Sequence, residues 1–368
     1  MTRLLLSFLL VLVAVSGAVC QSNIENILTA EHAAGHFNGT VLVVKDGQVV
    51  AQASKGLANL QFAVPIDSKT RFPIASMTKT LTALLTLQLV EKGQLKLADK
   101  VVHHVADLPA GCQNITILDL LTHHSGLKNE PVQAYAQPYS SAQFVQKFVA
   151  AKEGPLHPAF SYNNVDYVLL THVLEVVSKK TYRQLLQDNI FTPLAMGNSG
   201  LVAEATVIPG LAYGYHNYGF GAGKKDLPLK NDPLVYLSNY GGAGGVYSTS
   251  EDLLKLVRGL KENKLLTAAS MAQFMTTPQK QGFVEEARGY PTIGFFYNSK
   301  KFAQPVLERR GSINGFNSVL LTDKAFRKVV IILTNTDAGD LELIGDKIYA
   351  ELEWGAVRKK RKKHNLAP

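Results

Sequence analysis

Apolar residues along this chain follow two different periods. Ile24 to Phe37 reads as a helix, and Thr40 to Val44 and Gln48 to Ala53 read as two strands joined across Asp46-Gly47, a dipeptide typical of tight hairpin turns. Near the other end, Ser318 to Leu321 and Lys328 to Thr334 are strand-like, and Leu341 to Leu352 is helix-like. Matching patterns at the two ends predict that both termini build one layer. Between them, Ile117 to Leu121, Val165 to Val177 and Tyr182 to Phe191 carry apolar residues at helical spacing. The expected fold is therefore α/β: an antiparallel sheet built from both termini and flanked by helices, with an inserted, mostly helical subdomain at about residues 100–235. The glycine-rich stretches Gly214 to Gly223 and Gly241 to Gly245 stand where the chain is expected to return to the sheet.

A length of 368 residues with 46% hydrophobic content is enough to bury a large core. Arg3, the apolar run Leu4 to Val15 and the small residues Ser16, Gly17 and Ala18 form the pattern of a secretory signal peptide over residues 1–20. About a dozen apolar residues fall short of the roughly 20 that span a bilayer. The expected location is periplasmic or secreted, with a folded domain over residues 24–355. Only Cys20 and Cys112 are present, so no disulfide framework or cysteine metal site is implied. The net charge of +9 is local: Arg358 to Lys363 supply six and Arg3 one, leaving about +2 for the folded body. Nucleic acid is therefore not an expected partner. The basic tail at 356–368 suits either solvent or an anionic membrane surface, where each basic residue gains about 1 kcal/mol.

Three elements carry candidate chemistry. Ser76-Met77-Thr78-Lys79 is followed by an apolar stripe (Leu81, Leu84, Leu85, Leu89) that ends at Gly93, which puts Ser76 at a helix start and Lys79 on the same face. A serine hydroxyl needs a base, and lysine serves only where burial or nearby positive charge lowers its pKa. Ser125-Gly126-Leu127-Lys128 repeats the spacing, but in a loop. Phe160-Ser161-Tyr162-Asn163-Asn164 precedes the helical run from Val165 and offers a phenol for proton transfer beside amides. Arg309-Arg310-Gly311-Ser312-Ile313-Asn314-Gly315-Phe316 leads into a strand whose glycines let a substrate approach the backbone. Taken singly, each has a bland reading: a helix cap with a surface lysine, a buried tyrosine with an asparagine cap, a simple turn.

Together with Leu120 to Leu127, Gly241 to Gly245 and Ser248 to Leu253, these segments resemble, in order, the signature segments of the class C β-lactamase, D,D-peptidase and esterase family. The resemblance implies that Ser76 is the nucleophile, Lys79 its proton acceptor and Tyr162 a second acid/base group. It also implies that Asn164, Arg309, Gly311 and Ser312 bind substrate, with backbone N–H groups of Ser76 and Ser312 forming the oxyanion hole. His123, His124 and Ser125 are expected to be scaffold. Where the family usually carries Lys or His, then a small residue, then Gly, this chain has Arg309-Arg310-Gly311. A guanidinium keeps the charge but does not shuttle protons.

The resulting expectation is an exported serine hydrolase that acts through an acyl-enzyme on an ester or amide of a small molecule or peptide, with no cofactor. A catalytically weak penicillin-binding or peptidoglycan-sensing protein of the same fold is the alternative. A membrane-surface interaction protein working through the tail accounts for six residues only. The motifs do not separate β-lactam, D-Ala peptide and carboxylic ester substrates.

Overall fold

Val41 to Val44 and Val329 to Leu333 are unbroken apolar runs, and in the computed structural model they lie side by side in a seven-stranded antiparallel sheet. The structure describes residues 20–152, 159–216, 228–232, 235–277, 282–285, 289–298, 302, 304–313 and 315–364, with side chains as far as 352. Most of the expected signal peptide, part of the Gly214 to Gly223 loop, Asn314 and the side chains of the basic tail lie outside these residues. Numbered along the chain, the strands are β1 (Gly39–Lys45), β2 (Gln48–Lys55), β3 (Tyr290–Pro291), β4 (Phe296–Asn298), β5 (Val306–Ile313), β6 (Phe316–Thr322) and β7 (Lys328–Thr334), in the order β3-β4-β5-β6-β7-β1-β2. The two termini thus share one sheet, as the sequence pattern predicts. Asp46 and Gly47 have φ of 50° and 83°, the left-handed pair that a two-residue hairpin turn requires.

Both faces of the central strands are covered, which is why these strands read as continuous apolar runs instead of alternating ones. On one face, Val41, Val43, Val319, Val330 and Ile332 pack with Ile24 and Leu28 of α1 (residues 20–33) and with Ile344, Ile348 and Leu352. Leu42, Val44, Leu320, Ile331 and Leu333 point the other way, into the larger core beneath the helical body. The last helix runs over Leu341–His364, longer than the predicted Leu341 to Leu352.

At the centre of the helical body is α2 (Thr78–Glu91). The sequence predicts an apolar stripe, yet eleven of its residues are buried, because other elements pack all around it. Its threonines find partners inside: Thr80 Oγ1 donates to the Gly294 carbonyl at 2.9 Å, and Thr82 Oγ1 to that of Gly242 at 2.7 Å. Around it stand α3 (Ile117–Thr122) and α4 (Asn164–Ser178), together with Tyr182–Leu186 and its π-helical continuation Gln187–Phe191.

The expected return at Gly241 to Gly245 is corrected. This turn leads into Val246–Ser248, the middle strand of a separate three-stranded sheet with Phe72–Pro73 and Gly200–Leu201, and the chain rejoins the main sheet only at Tyr290. A three-residue strand next to a bend pairs with whichever edge packing brings near, and here that edge leads directly into the Ser76 turn.

Candidate active site

Ser76 lies in a single 3-10 turn, Ala75–Met77, that runs straight into α2. Ala75 before it has φ of 47°, a left-handed conformation that costs a non-glycine residue roughly 1 kcal/mol and is held by the surrounding structure. From the first turn of α2, the Lys79 amine donates to Ser76 Oγ at 3.1 Å, to Asn164 Oδ1 at 2.8 Å and to the Ala243 carbonyl at 2.8 Å. Lys79 has no solvent exposure. Its three donors are all used, so a buried charge is accommodated without a carboxylate of the described residues in direct contact.

The two asparagines after Tyr162 divide the work. Asn163 caps α4, accepting from Val165 N at 2.8 Å, and its amide donates to the Leu127 carbonyl at 2.8 Å. Asn164 bridges Lys79 to Glu130, donating to Glu130 Oε1 at 2.9 Å. The Lys79 ammonium lies 4.8 Å from the centre of the Tyr162 ring.

Burial drives the Lys79 pKa below the usual lysine value, and the Arg309 guanidinium pushes the same way, against the upward pull of Tyr162 and Glu130. Burial alone would raise the Tyr162 phenol. The charges of Lys79 and Arg309, helped by the closeness of Lys79 and Ser76 to the phenol, outweigh it and leave the phenol below its ordinary value. Lysine and tyrosine therefore form a coupled pair that releases a proton more readily than either alone.

Strand β5 supplies the opposite wall. A methyl group on Gly311 would sit 2.2 Å from the Ile74 carbonyl oxygen and 2.8 Å from Ser76 N, so only glycine lets the strand lie against the Ser76 turn. Ser318 Oγ of the neighbouring β6 donates to the Ile74 carbonyl at 2.9 Å and ties the same turn down. Ser76, Tyr162, Arg309, Gly311 and Ser312 all line one cleft of about 450 Å³. Phe160 and Phe296 form its aromatic side, and Gly339 to Glu342, at the head of the last helix, close one end. Asn164 is not on that lining; it stands behind Lys79.

Arg309 is turned inward. It is 5% exposed, its Nε donates to the Ser76 carbonyl at 3.1 Å, and its guanidinium lies 5.8 Å from the Phe296 ring centre. Its Nη2 is buried with no hydrogen-bond partner among the described residues. Arg310 lies on the cleft rim, 2.8 Å from Glu308 and paired with Glu342.

Sequence reasoning missed the Ala243 carbonyl and Glu130. Gly241 to Asp252 reads as scaffold, and a carbonyl leaves no side-chain signature. Glu130 follows the Ser125-Gly126-Leu127 segment at no recognisable spacing. The second Ser-x-x-Lys match behaves otherwise: Ser125 Oγ donates to Asp166 and accepts from Leu127 N.

A seven-stranded antiparallel sheet, a helical body and a cleft between them with Ser76 at its floor define the β-lactamase/transpeptidase fold class. The chain belongs to the beta-lactamase family, whose model matches residues 24–352. Among curated relatives, a putative penicillin-binding protein, PbpX, of Bacillus subtilis is 27% identical over 314 residues, 85% of this chain and 74% of its own length. A teichoic acid D-alanine hydrolase of Staphylococcus aureus is 26% identical over 320 residues, 86% of this chain and 74% of its own. Among solved structures, a penicillin-binding protein from Bacillus halodurans superposes with a TM-score of 0.73 at 25% identity, covering 89% of this chain and 99% of that one. A D-amino acid amidase from Ochrobactrum anthropi, at 21% identity, shares the fold with a TM-score of 0.78 over 93% of this chain and 99% of that one.

Proposed function

We propose that this chain is an exported serine hydrolase that opens an ester or amide carbonyl through an acyl-enzyme on Ser76. The observation that carries the reading is the contact between the buried Lys79 amine and Ser76 Oγ at 3.1 Å, beside a phenol whose pKa is drawn down by the same amine. In acylation, the Lys79–Tyr162 pair takes the Ser76 proton, Oγ bonds to the carbonyl carbon, and the developing oxyanion turns to the backbone N–H groups of Ser76 and Ser312. The leaving group departs with the proton, and water then releases the acyl group and restores Ser76. The relatives that carry the names D-alanine hydrolase, amidase and penicillin-binding protein all suit such chemistry. Export rests on the pattern of residues 1–20, and a periplasmic or secreted location follows from it.

Intact-mass analysis after exposure to a fluorophosphonate and to a penicillin tests the reading. We expect a fluorophosphonate adduct on Ser76. No adduct from either reagent would refute it, whereas a lasting penicillin adduct without turnover would favour the weak penicillin-binding alternative.

Arg309 suits a substrate carboxylate through its unpartnered Nη2, and through Nε it also holds the nucleophile turn. Arg309→Ala is accordingly expected to lower kcat on a neutral ester, and to cost a further 1.5–3 kcal/mol or so of binding, read as a raised KM, on substrates bearing a carboxylate. Equal losses on both substrate types would leave only the support role.

The basic tail is proposed to contact anionic membrane. Deleting residues 358–368 is expected to leave hydrolysis of a small neutral ester unchanged and to weaken co-sedimentation with anionic vesicles in low salt. Equal sedimentation of the full-length and shortened proteins would remove that role.

A further inference from the structure

Behind Tyr162, on the side away from the cleft, lies a buried polar cluster that the proposed chemistry does not use. His123 is 4% exposed, Asp166 fully buried and Ser125 7% exposed. His123 ends α3 with φ of 59° and touches three consecutive residues of the Tyr162 segment. Its carbonyl accepts from Ser161 N at 2.9 Å, its ring lies 4.5 Å from the Tyr162 ring, and its Nδ1 accepts from Asn163 N at 3.3 Å. The ring is itself held, with Nδ1 2.9 Å from Asp166 Oδ2. The other Asp166 oxygen accepts from Ser125.

We infer that His123 is a positioning residue for Tyr162, a neutral imidazole locked by a protonated Asp166, so that the phenol is held toward Ser76 and Lys79. The proton assignment follows from the network. Nδ1 has one lone pair, which the 2.9 Å contact with Oδ2 takes and the longer 3.3 Å approach of Asn163 N–H shares, so the hydrogen on the Oδ2 contact belongs to the carboxyl group and the imidazole hydrogen to Nε2, which is buried with no partner among the described residues. Burial acts in the same direction, raising the Asp166 pKa well above the usual carboxylate range and lowering that of His123, to which the Lys79 and Arg309 charges also contribute. A neutral cluster avoids the cost of a buried ion pair and places no anion directly behind Tyr162, where it would oppose phenolate formation.

The inference rests on the Ser76 reading above, and its test separates the two. The rate of Ser76 labelling by a fluorophosphonate, kcat and KM on a neutral ester, and thermal melting are measured for the wild type, His123→Asn and Asp166→Asn. Asparagine tolerates the left-handed backbone at 123 but presents no ring to Tyr162. His123→Asn is expected to melt cooperatively, to label roughly 10- to 100-fold more slowly and to lose kcat with little change in KM, as expected when a proton-transfer group is misplaced. In Asp166→Asn, the amide can donate to Nδ1 and accept from Ser125 as the protonated acid does, so labelling is expected within about threefold of wild type. A folded His123→Asn that labels at the wild-type rate would overturn the positioning role. Loss in Asp166→Asn equal to that in His123→Asn would overturn the neutral-acid lock. If His123→Asn does not fold, Asp166→Ala carries the test, because it leaves the imidazole in place but unanchored, and wild-type labelling there would overturn the inference. A wild type that does not label at all contradicts the Ser76 assignment instead.

Discussion

Ser76→Ala is expected to abolish acylation, with kcat on an activated ester falling at least about 10⁴-fold and no fluorophosphonate adduct forming. Folding should survive. The lost oxygen is one of three acceptors around Lys79, and the amine keeps Asn164 Oδ1 and the Ala243 carbonyl, both at 2.8 Å. The 3-10 turn is held by contacts that do not involve the hydroxyl: Arg309 Nε on the Ser76 carbonyl and Ser318 Oγ on that of Ile74. Esterase activity in a folded Ser76→Ala close to that of the wild type would place the nucleophile elsewhere. Circular dichroism melts alongside the kinetics separate loss of chemistry from loss of fold.

Lys79→Ala and Tyr162→Phe are each expected to slow acylation by roughly 100-fold or more, the scale of a positioned acid/base group. If the two share one proton-accepting task, as proposed, the double variant should lose far less than the product of the single losses, and a full product would show two independent roles. Their pH profiles should both differ from that of the wild type in a defined direction. In the wild type, kcat/KM rises with pH as the pair gives up its first proton, on a limb below the ordinary phenol value of 10.0. Removing Lys79 takes away the cation that holds the phenol down, so the limb shifts to higher pH. Removing Tyr162 leaves the lysine as the only group of the pair to lose that proton, and since two sites release a first proton at least as readily as either one, the limb does not fall below that of the wild type. A limb at lower pH than the wild type's in either variant would contradict the coupling.

The local part of this site was legible along the chain. Ser76 and Lys79 are three residues apart at the head of a helix, and helical geometry alone brings the amine to the hydroxyl; the 3.1 Å contact follows from that spacing. The hairpin at Asp46-Gly47 was equally legible, because its left-handed pair is a property of those two residues. So was the joining of both termini in one sheet, since β1 and β7 are apolar on both faces and each needs a covered neighbour. Tyr162, Asn164, Arg309, Gly311 and Ser312 were legible only as motifs in a family order, without a geometry.

Only the tertiary structure decided what surrounds them. The full burial of Lys79, which lowers its pKa, comes from packing on every side of α2 and not from the apolar stripe that follows Ser76. The carbonyl of Ala243 reaches Lys79 across 164 positions of chain, and Arg309 reaches the Ser76 carbonyl across 233. Such contacts depend on how the layers dock, which no local period encodes. The same holds for Gly311, whose missing side chain matters because the Ile74 carbonyl lies 2.2 Å from where a methyl group would stand. His123 was read as scaffold because α3 and the Tyr162 segment are about forty residues apart in sequence, and only their packing sets an imidazole against the phenol. The spacing of residues along a helix sets which side chains meet within one turn; the pKa shifts and the supports of those side chains are set by desolvation and by partners that folding brings from elsewhere in the chain.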